Sequence, residues 1–431
     1  MRITHCVSMW VHLTFVGSRV GGFTPLPMEG NSGNKNPWLR KTTYFLAVQA
    51  GLGYPVPMET QRIAINIDAP DMEALGQAAR RIEAGALVAF PTETVYGIAC
   101  RVSDQVLARL TGLKGRASEK RFTLHIGAKA DLVRYVPHLN LKARKLVAQA
   151  WPGPLTIVFD VPDPAQAGLT DSLGPEVCAQ LYQDGTLGVR CPDHAVAGAL
   201  LRLTRCPVVA SSANLTGQPP AVTAGQALEA LAGRVEMVLD AGPCPLRQSS
   251  TVARVGDRGV EVLRQGIIEA ASLDRMTRVG ILFVCTGNTC RSAMAEALCR
   301  AILAERLCLK QVDDLTEMGY IVRSAGTMGL VGAPASDGAT AACAGRGIDL
   351  TDHRSSGLSN ALIHDSDLIF VMTRSHRDQV LSFWPDRADQ CMLLDARGDI
   401  ADPVGQSETV FKACCEQIDK AIRNRISECV L

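Results

Sequence analysis

Apolar positions recur with a helical period from Met72 to Glu83, stop at Gly85, and give way to an unbroken apolar run from Ala86 to Phe90. Helix, turn and buried strand are predicted in that order. Similar runs at 124–126, 155–161, 188–190, 208–210 and 235–239, closed by a β-like stretch from Thr251 to Leu263, predict one α/β domain. A short polar segment from Gln265 to Arg278 carries Glu269, Asp274 and Arg275, and the domain boundary is expected near residue 272. The pattern then restarts: strand 280–284, a Gly-containing loop, helix 292–306, strand 320–324, a helix, strand 368–372, a helix, and a final helix over 407–425. Such alternation predicts βαβ units around a parallel sheet. No internal repeat relates the halves.

The first 61 residues show neither period and hold Gly, Pro and Asn clusters. They are expected to be a poorly ordered extension. Their few acids, Glu29 and Glu59, leave open a transit-like segment, and Met58 is an alternative start. The expected plan is therefore an extension over 1–61, a first domain over 62–268, a linker over 269–278 and a second domain over 279–431.

Length and composition agree with two cores: 431 residues, 47% hydrophobic, 38 glycines. A formal charge of +1 means that any phosphate or nucleic-acid binding must come from local clusters. Fifteen cysteines is an odd count without repeated metal-like spacing, which argues against a disulfide framework and for a reducing cytoplasm. No run of about 18 apolar residues is present, so no membrane span is expected.

The sharpest local feature is Cys285-Thr-Gly-Asn-Thr-Cys-Arg291-Ser292, directly after a strand and directly before a helix. Loop amides converging at a helix N-terminus form an anion site, which sets Cys285 to attack phosphorus. Arg291, six positions on, offers a planar fork for two phosphate oxygens, and Ser292 a hydroxyl for the sulfur. Asp402-Pro403, in a loop before the last helix, supplies a candidate general acid. The blander reading of Cys285 is a buried thiol ending a strand. Cys290 is either a redox partner of Cys285 or a small loop filler, and the Cys414-Cys415 pair reads as helix packing.

With MAEAL (294–298), SAGT (324–327) and DLIFVMT (367–373), these residues make 279–431 resemble the low-molecular-weight protein tyrosine phosphatase family. The resemblance implies a Rossmann-like parallel-sheet domain and a cysteinyl-phosphate intermediate without metal or cofactor. Cys285 would be the nucleophile, Arg291 the phosphate clamp, Asn288 and Ser292 loop supports, and Asp402 the acid and then the base. Two departures concern the phosphorylated protein it takes. Thr289 stands where tyrosine phosphatases usually carry an aliphatic residue and resembles the protein-arginine phosphatase branch, while Val404 and Gly405 replace the aromatics that flank a phenol. Phosphoarginine is the expected substrate; phosphotyrosine hydrolysis and arsenate reduction are the alternatives.

The first domain carries FPTETVYG (90–97), Lys114-Gly-Arg116, WPGPLT (151–156), SSAN (211–214), SST (249–251) and Arg264-Gln-Gly266. Hydroxyl-rich loops at strand ends and paired cations suit a polyphosphate. Taken singly, Lys114 and Arg116 read as a solvated helix end and SSAN as an ordinary N-cap with a turn. In this order they resemble the YrdC-like threonylcarbamoyl-AMP synthase family over 62–268, which implies a twisted α/β domain. The resemblance implies ATP with Mg²⁺, L-threonine and bicarbonate as substrates, and a product passed to the complex that modifies adenosine 37 of tRNA. Lys114, Arg116, Lys120, Thr156, Ser212, Asn214 and Arg264 would hold ATP; Thr94, His125 and Ser250 would face threonine. Ala117 and Arg121 replace prolines common around the Lys-x-Arg loop, and Ile98-Ala99-Cys100 departs from the Leu-Gly pattern after the tyrosine. The alternative to a synthase is a nucleotide- or RNA-binding module without catalysis.

Overall fold

Asp71 begins the first helix, Met72–Glu83, by accepting hydrogen bonds from the amides of Glu73 and Ala74 at 3.0 and 3.1 Å, satisfying two donors that the helix cannot. The helix buries Leu75, Ala78, Ala79 and Ile82, the stripe its sequence period predicts. The computed structural model describes residues 58–115, 121–168 and 173–429. The extension expected over 1–61 lies outside the described residues except for 58–61, and Gln61 already begins a strand.

Among the described residues, the first half forms one mixed sheet from β1 (Gln61–Ala64), β2 (Val88–Phe90), β3 (Gly97–Arg101), β4 (Thr123–His125), β5 (Leu155–Asp160), β6 (Thr186–Arg190), β7 (Val208–Ser212), β8 (Met237–Asp240), β9 (Thr251–Gly256) and β10 (Gly259–Arg264). Their spatial order is β1-β8-β2-β3-β7-β4-β6-β5-β9-β10. Side chains alternate across the sheet, so Leu87 and Ala89 enter one core with Tyr96 and Leu124, while Val88 and Phe90 enter another with Leu75 and Leu200. Burial on both faces explains why these strands read as continuous apolar runs.

The second half is a parallel sheet of β11 (Val279–Cys285), β12 (Tyr320–Gly326), β13 (Leu368–Val371) and β14 (Cys391–Leu393), ordered β12-β11-β13-β14. Ile281 and Phe283 face helices Arg291–Arg306 and Glu408–Cys429, whereas Leu282 and Val284 face the opposite layer. The fold is the α/β class expected on both sides. The stretch expected as a linker contains a helix, Ala270–Thr277, because Leu273 is fully buried in the first core and Met276 packs against it.

β11 runs close to the chain at Asp365: a Cβ on Gly280 would fall well inside van der Waals contact with the Asp365 carbonyl oxygen, whereas one on Gly112 would meet nothing within 4 Å. Gly280→Ala should lower the stability of the second half by about 1–3 kcal/mol, read as an earlier urea midpoint. Gly112→Ala, in a helix interior, should be neutral or stabilising.

Candidate active sites

In the second half, the chain leaves β11 at Cys285 and turns immediately into helix Arg291–Arg306. The turn is possible because Asn288 adopts a left-handed conformation, φ 56°, which asparagine tolerates better than most residues. Its side chain is fully committed: Nδ2 donates to Ser292 Oγ at 2.9 Å and Ser324 Oγ at 2.8 Å, and Oδ1 accepts from the Ser356 amide at 2.7 Å. The Asn288 amide points at Cys285 Sγ, 3.3 Å away. Since Ser292 Oγ accepts from Asn288, its own proton is available to the sulfur 2.9 Å away. Gly326 packs under the loop; a Cβ there would lie 2.7 Å from the Thr286 carbonyl oxygen.

Arg291 is 4% exposed. It donates to the Ile400 carbonyl at 3.1 Å and to Thr286 Oγ1 at 3.3 Å, and it pairs with Asp402. The sequence-predicted nucleophile, clamp and acid are thus brought together across 117 positions of chain from Cys285 to Asp402. Thr289 follows Asn288 in the same loop, its hydroxyl 3.7 Å from Cys290 Sγ, which in turn lies 3.1 Å from Ser336 Oγ. A group that sequence reasoning missed is His376, which bridges Thr373 (2.8 Å) and Thr286 (2.9 Å) beneath the loop.

In the first half, strand ends converge on a cleft of about 290 Å³. Lys114, His125, Thr156, Ser212, Asn214, Ser250 and Arg264 all line it. Lys114 Nζ donates to the Ser212 carbonyl at 2.7 Å and to Asn214 Oδ1 at 3.1 Å, so it fixes the SSAN loop. Arg264 donates to the Ser250 carbonyl at 2.7 Å, and Ser250 Oγ meets Thr156 Oγ1 at 3.3 Å. Arg121 also lines the cleft and is paired with Asp184 at 2.6 Å. Arg116 and Lys120 lie outside the described residues. Thr94 is fully buried and does not line the cleft; its hydroxyl is held by Arg190 Nη2 at 2.6 Å.

Arg190, at the end of β6, does line the cleft and was not anticipated from sequence. It pairs with Glu93 at 2.9 Å, each side chain 7% exposed. The Arg190 Nε and Glu93 Oε2 atoms have no hydrogen-bond partner among the described residues. A carbonyl can only accept, so the 3.1 Å contact of His125 Nδ1 with the Thr123 carbonyl puts the ring proton on Nδ1 and leaves Nε2 as an acceptor.

The family model described as "Telomere recombination" (Sua5/YciO/YrdC) matches residues 80–266, and that described as "Low molecular weight phosphotyrosine protein phosphatase" matches 280–429. The threonylcarbamoyl-AMP synthase of Vibrio cholerae is 31% identical over 204 residues, 45% of this chain and 98% of its own. The chain belongs to the threonylcarbamoyl-AMP synthase family and carries a low-molecular-weight phosphatase domain behind it. The Bacillus subtilis synthase is 33% identical over 201 residues, 46% of this chain; this chain spans only 55% of that protein's length. The YwlE arginine phosphatase from Geobacillus stearothermophilus is 35% identical, with 35% of this chain and 91% of that one covered and a TM-score of 0.30.

Within the cleft of the first half, burial and then the neighbouring Arg190 push His125 down to about 3. In the phosphatase loop, burial and then Arg291 push His376 down to about 4. Both rings are neutral near pH 7. Each folded value lies below the ordinary 6.5, so the unfolded chain binds more protons between the two; folding stability therefore falls as pH drops below about 6.5 and levels off below the folded values. Imidazole resonances followed by NMR should show neither ring titrating between pH 8 and pH 5; a midpoint near 6.5 for either would contradict its placement.

Proposed function

We propose that the chain is a bifunctional enzyme: a synthase that makes threonylcarbamoyl-AMP from ATP, L-threonine and bicarbonate, and a cysteine-dependent protein phosphatase whose substrate is phosphoarginine. The observation that carries the phosphatase reading is the convergence of Cys285, the Asn288 amide, Arg291 and Asp402 on one loop at a helix N-terminus. The Cys285 sulfur attacks phosphorus, an S–P bond forms, and the bond from phosphorus to the guanidinium nitrogen breaks as Asp402 delivers a proton to the leaving nitrogen. Water then attacks the cysteinyl phosphate, Asp402 takes its proton, and inorganic phosphate departs. Arg291, already desolvated and oriented, binds the equatorial oxygens through both steps. Thr289 favours phosphoarginine because its hydroxyl can meet a guanidinium nitrogen, and the exposed Val404 beside Asp402 offers no ring for a phenol to stack on.

For the synthase, the supporting observation is a single cleft that gathers Lys114, Arg264, Ser212, Asn214 and His125. Threonine nitrogen and bicarbonate condense to a carbamate, whose oxygen attacks the α-phosphorus as pyrophosphate leaves. Mg²⁺ on the nucleotide phosphates would neutralise part of their charge. Arg264, at the cleft edge, has its charged form disfavoured by partial desolvation and then by Arg190, so a phosphate partner would stabilise it. Neutral His125 presents Nε2 to a donor such as the threonine hydroxyl. The adenylate would then pass to a tRNA-modifying complex in the cytoplasm; among the described residues no helix is long and apolar enough to cross a membrane.

Pyrophosphate release that requires both threonine and bicarbonate tests the synthase; Arg264→Ala should weaken ATP use by about 1.5–3 kcal/mol, tenfold or more in kcat/KM. If release proceeds equally without threonine, or is absent, the synthase reading falls and the nucleotide-binding alternative stands. On phosphopeptides, Cys285→Ser should abolish turnover, and Thr289→Ile should cut the preference for phosphoarginine over phosphotyrosine by roughly tenfold. Equal or faster phosphotyrosine hydrolysis by the wild type would overturn the arginine assignment.

A further inference from the structure

The synthase and phosphatase halves meet along helix Leu141–Ala150. Lys142, 1% exposed, holds its ammonium 4.0 Å from the centre of the Tyr320 ring and donates to the Met318 carbonyl. Lys145, one turn on, pairs with Asp367 at 2.6 Å and donates to the Arg278 carbonyl. Tyr320 also donates its hydroxyl proton to the Asp257 carbonyl at 2.9 Å, and Asp257 accepts at its side chain from Asn140, the N-cap of the same helix, at 2.7 Å. One tyrosine of the phosphatase half therefore ties together two separate elements of the synthase: helix 141–150 and the turn between β9 and β10.

Both elements lead into the cleft. The helix runs through Trp151 into β5, where Thr156 lines the cavity, and the β9–β10 hairpin is flanked by Ser250 and ends in Arg264. Gly266 lies so near the backbone of Ser249, Ser250 and Thr251 that a Cβ would overlap it. A shift of the hairpin thus has no slack before it moves cleft residues.

On the phosphatase side the contacts fall at the other end from its chemistry. Arg278 immediately precedes β11, Tyr320 is the first residue of β12, and Asp367 immediately precedes β13. Cys285 ends β11, about 20 Å along the strand. Burying an ammonium costs several kcal/mol even when partnered, and burial pushes Lys142 down to about 8; an apolar side chain would pack here more simply, which points to a role in fixing geometry.

We propose that the phosphatase half is a brace for the synthase cleft: Lys142 and Tyr320 are positioning residues that lock helix 141–150 against the β9–β10 turn and so hold Thr156, Ser250 and Arg264 in place, without coupling to the cysteine site. Its catalytic consequence rests on the synthase reading above. The test compares full-length wild type, Lys142→Met and Tyr320→Phe by amide hydrogen exchange, by ATP binding and by phosphatase kcat/KM. Exchange should quicken at 153–156 and 249–266, ATP should bind at least about fivefold more weakly, and phosphatase kcat/KM should hold within about twofold. Tyr320→Phe keeps the ring and removes one hydrogen bond, so it reports even if Lys142→Met fails to fold. Unchanged exchange at both segments, or a parallel loss in ATP binding and phosphatase activity, would overturn the brace. Should wild type prove unable to form the adenylate, the synthase reading fails while the exchange comparison still decides the brace.

Discussion

Burying a guanidinium removes it from water at a cost of several kcal/mol, recovered only if the protein supplies fixed partners. Both halves of this chain meet that constraint in the same way. Arg190 is held by Glu93 and the Thr94 hydroxyl, Arg291 by Asp402, the Thr286 hydroxyl and the Ile400 carbonyl. In each, the Nε atom is buried with no hydrogen-bond partner among the described residues. These are cations kept desolvated and oriented in advance, the condition under which a bound phosphate or carboxylate gains most and reorganises least. Separate contacts fix the neighbouring loops: the left-handed Asn288 turn positions the segment that leads into Arg291, and Lys114 holds the SSAN loop at the cleft.

The phosphatase half was legible because its chemistry is local. Strand, loop and helix are contiguous, and the letters from Cys285 to Ser292 name nucleophile, turn and clamp within eight positions. The first helix was legible to its ends, since Asp71 and the Met72–Glu83 period are both local signals. Sheet order in the synthase half was not: β1 pairs with β8, and β5 pairs with both β6 and β9, contacts that no periodicity encodes. Arg190 was missed for that reason. It lies in an ordinary Gly188-Val-Arg strand ending, and its partners Glu93 and Thr94 are brought to it from 97 and 96 positions away. Thr94 sits in a recognisable motif and is itself buried behind the cleft, where its hydroxyl holds Arg190, which lines it. The polar stretch before the second half hides a few apolar residues, and Leu273, with Met276 beside it, folds it as a helix on the first core.

The two candidate sites use the two sheets differently. In the parallel sheet the candidate phosphate site is centred on the loop after β11, a single strand-to-helix junction to which Asp402 is added. The mixed sheet has no such junction; it assembles its cleft from the ends of β4, β5, β6 and β7 and the flanks of the β9–β10 hairpin, each a wall that packing must hold. A site built from many walls is more sensitive to distant support than a site built on one loop, and this asymmetry is why the contact through Lys142 and Tyr320 bears on the synthase and not on Cys285.

We infer that the planar, buried guanidinium of Arg291, and not positive charge alone, makes the anion site. Calorimetric titration of inorganic phosphate into Arg291→Lys tests it directly, because lysine keeps the charge and loses the planar fork. Charge-assisted hydrogen bonds to an anion contribute about 1.5–3 kcal/mol, so the account predicts phosphate binding at least about tenfold weaker than in wild type. Equal affinity in the two proteins would contradict it.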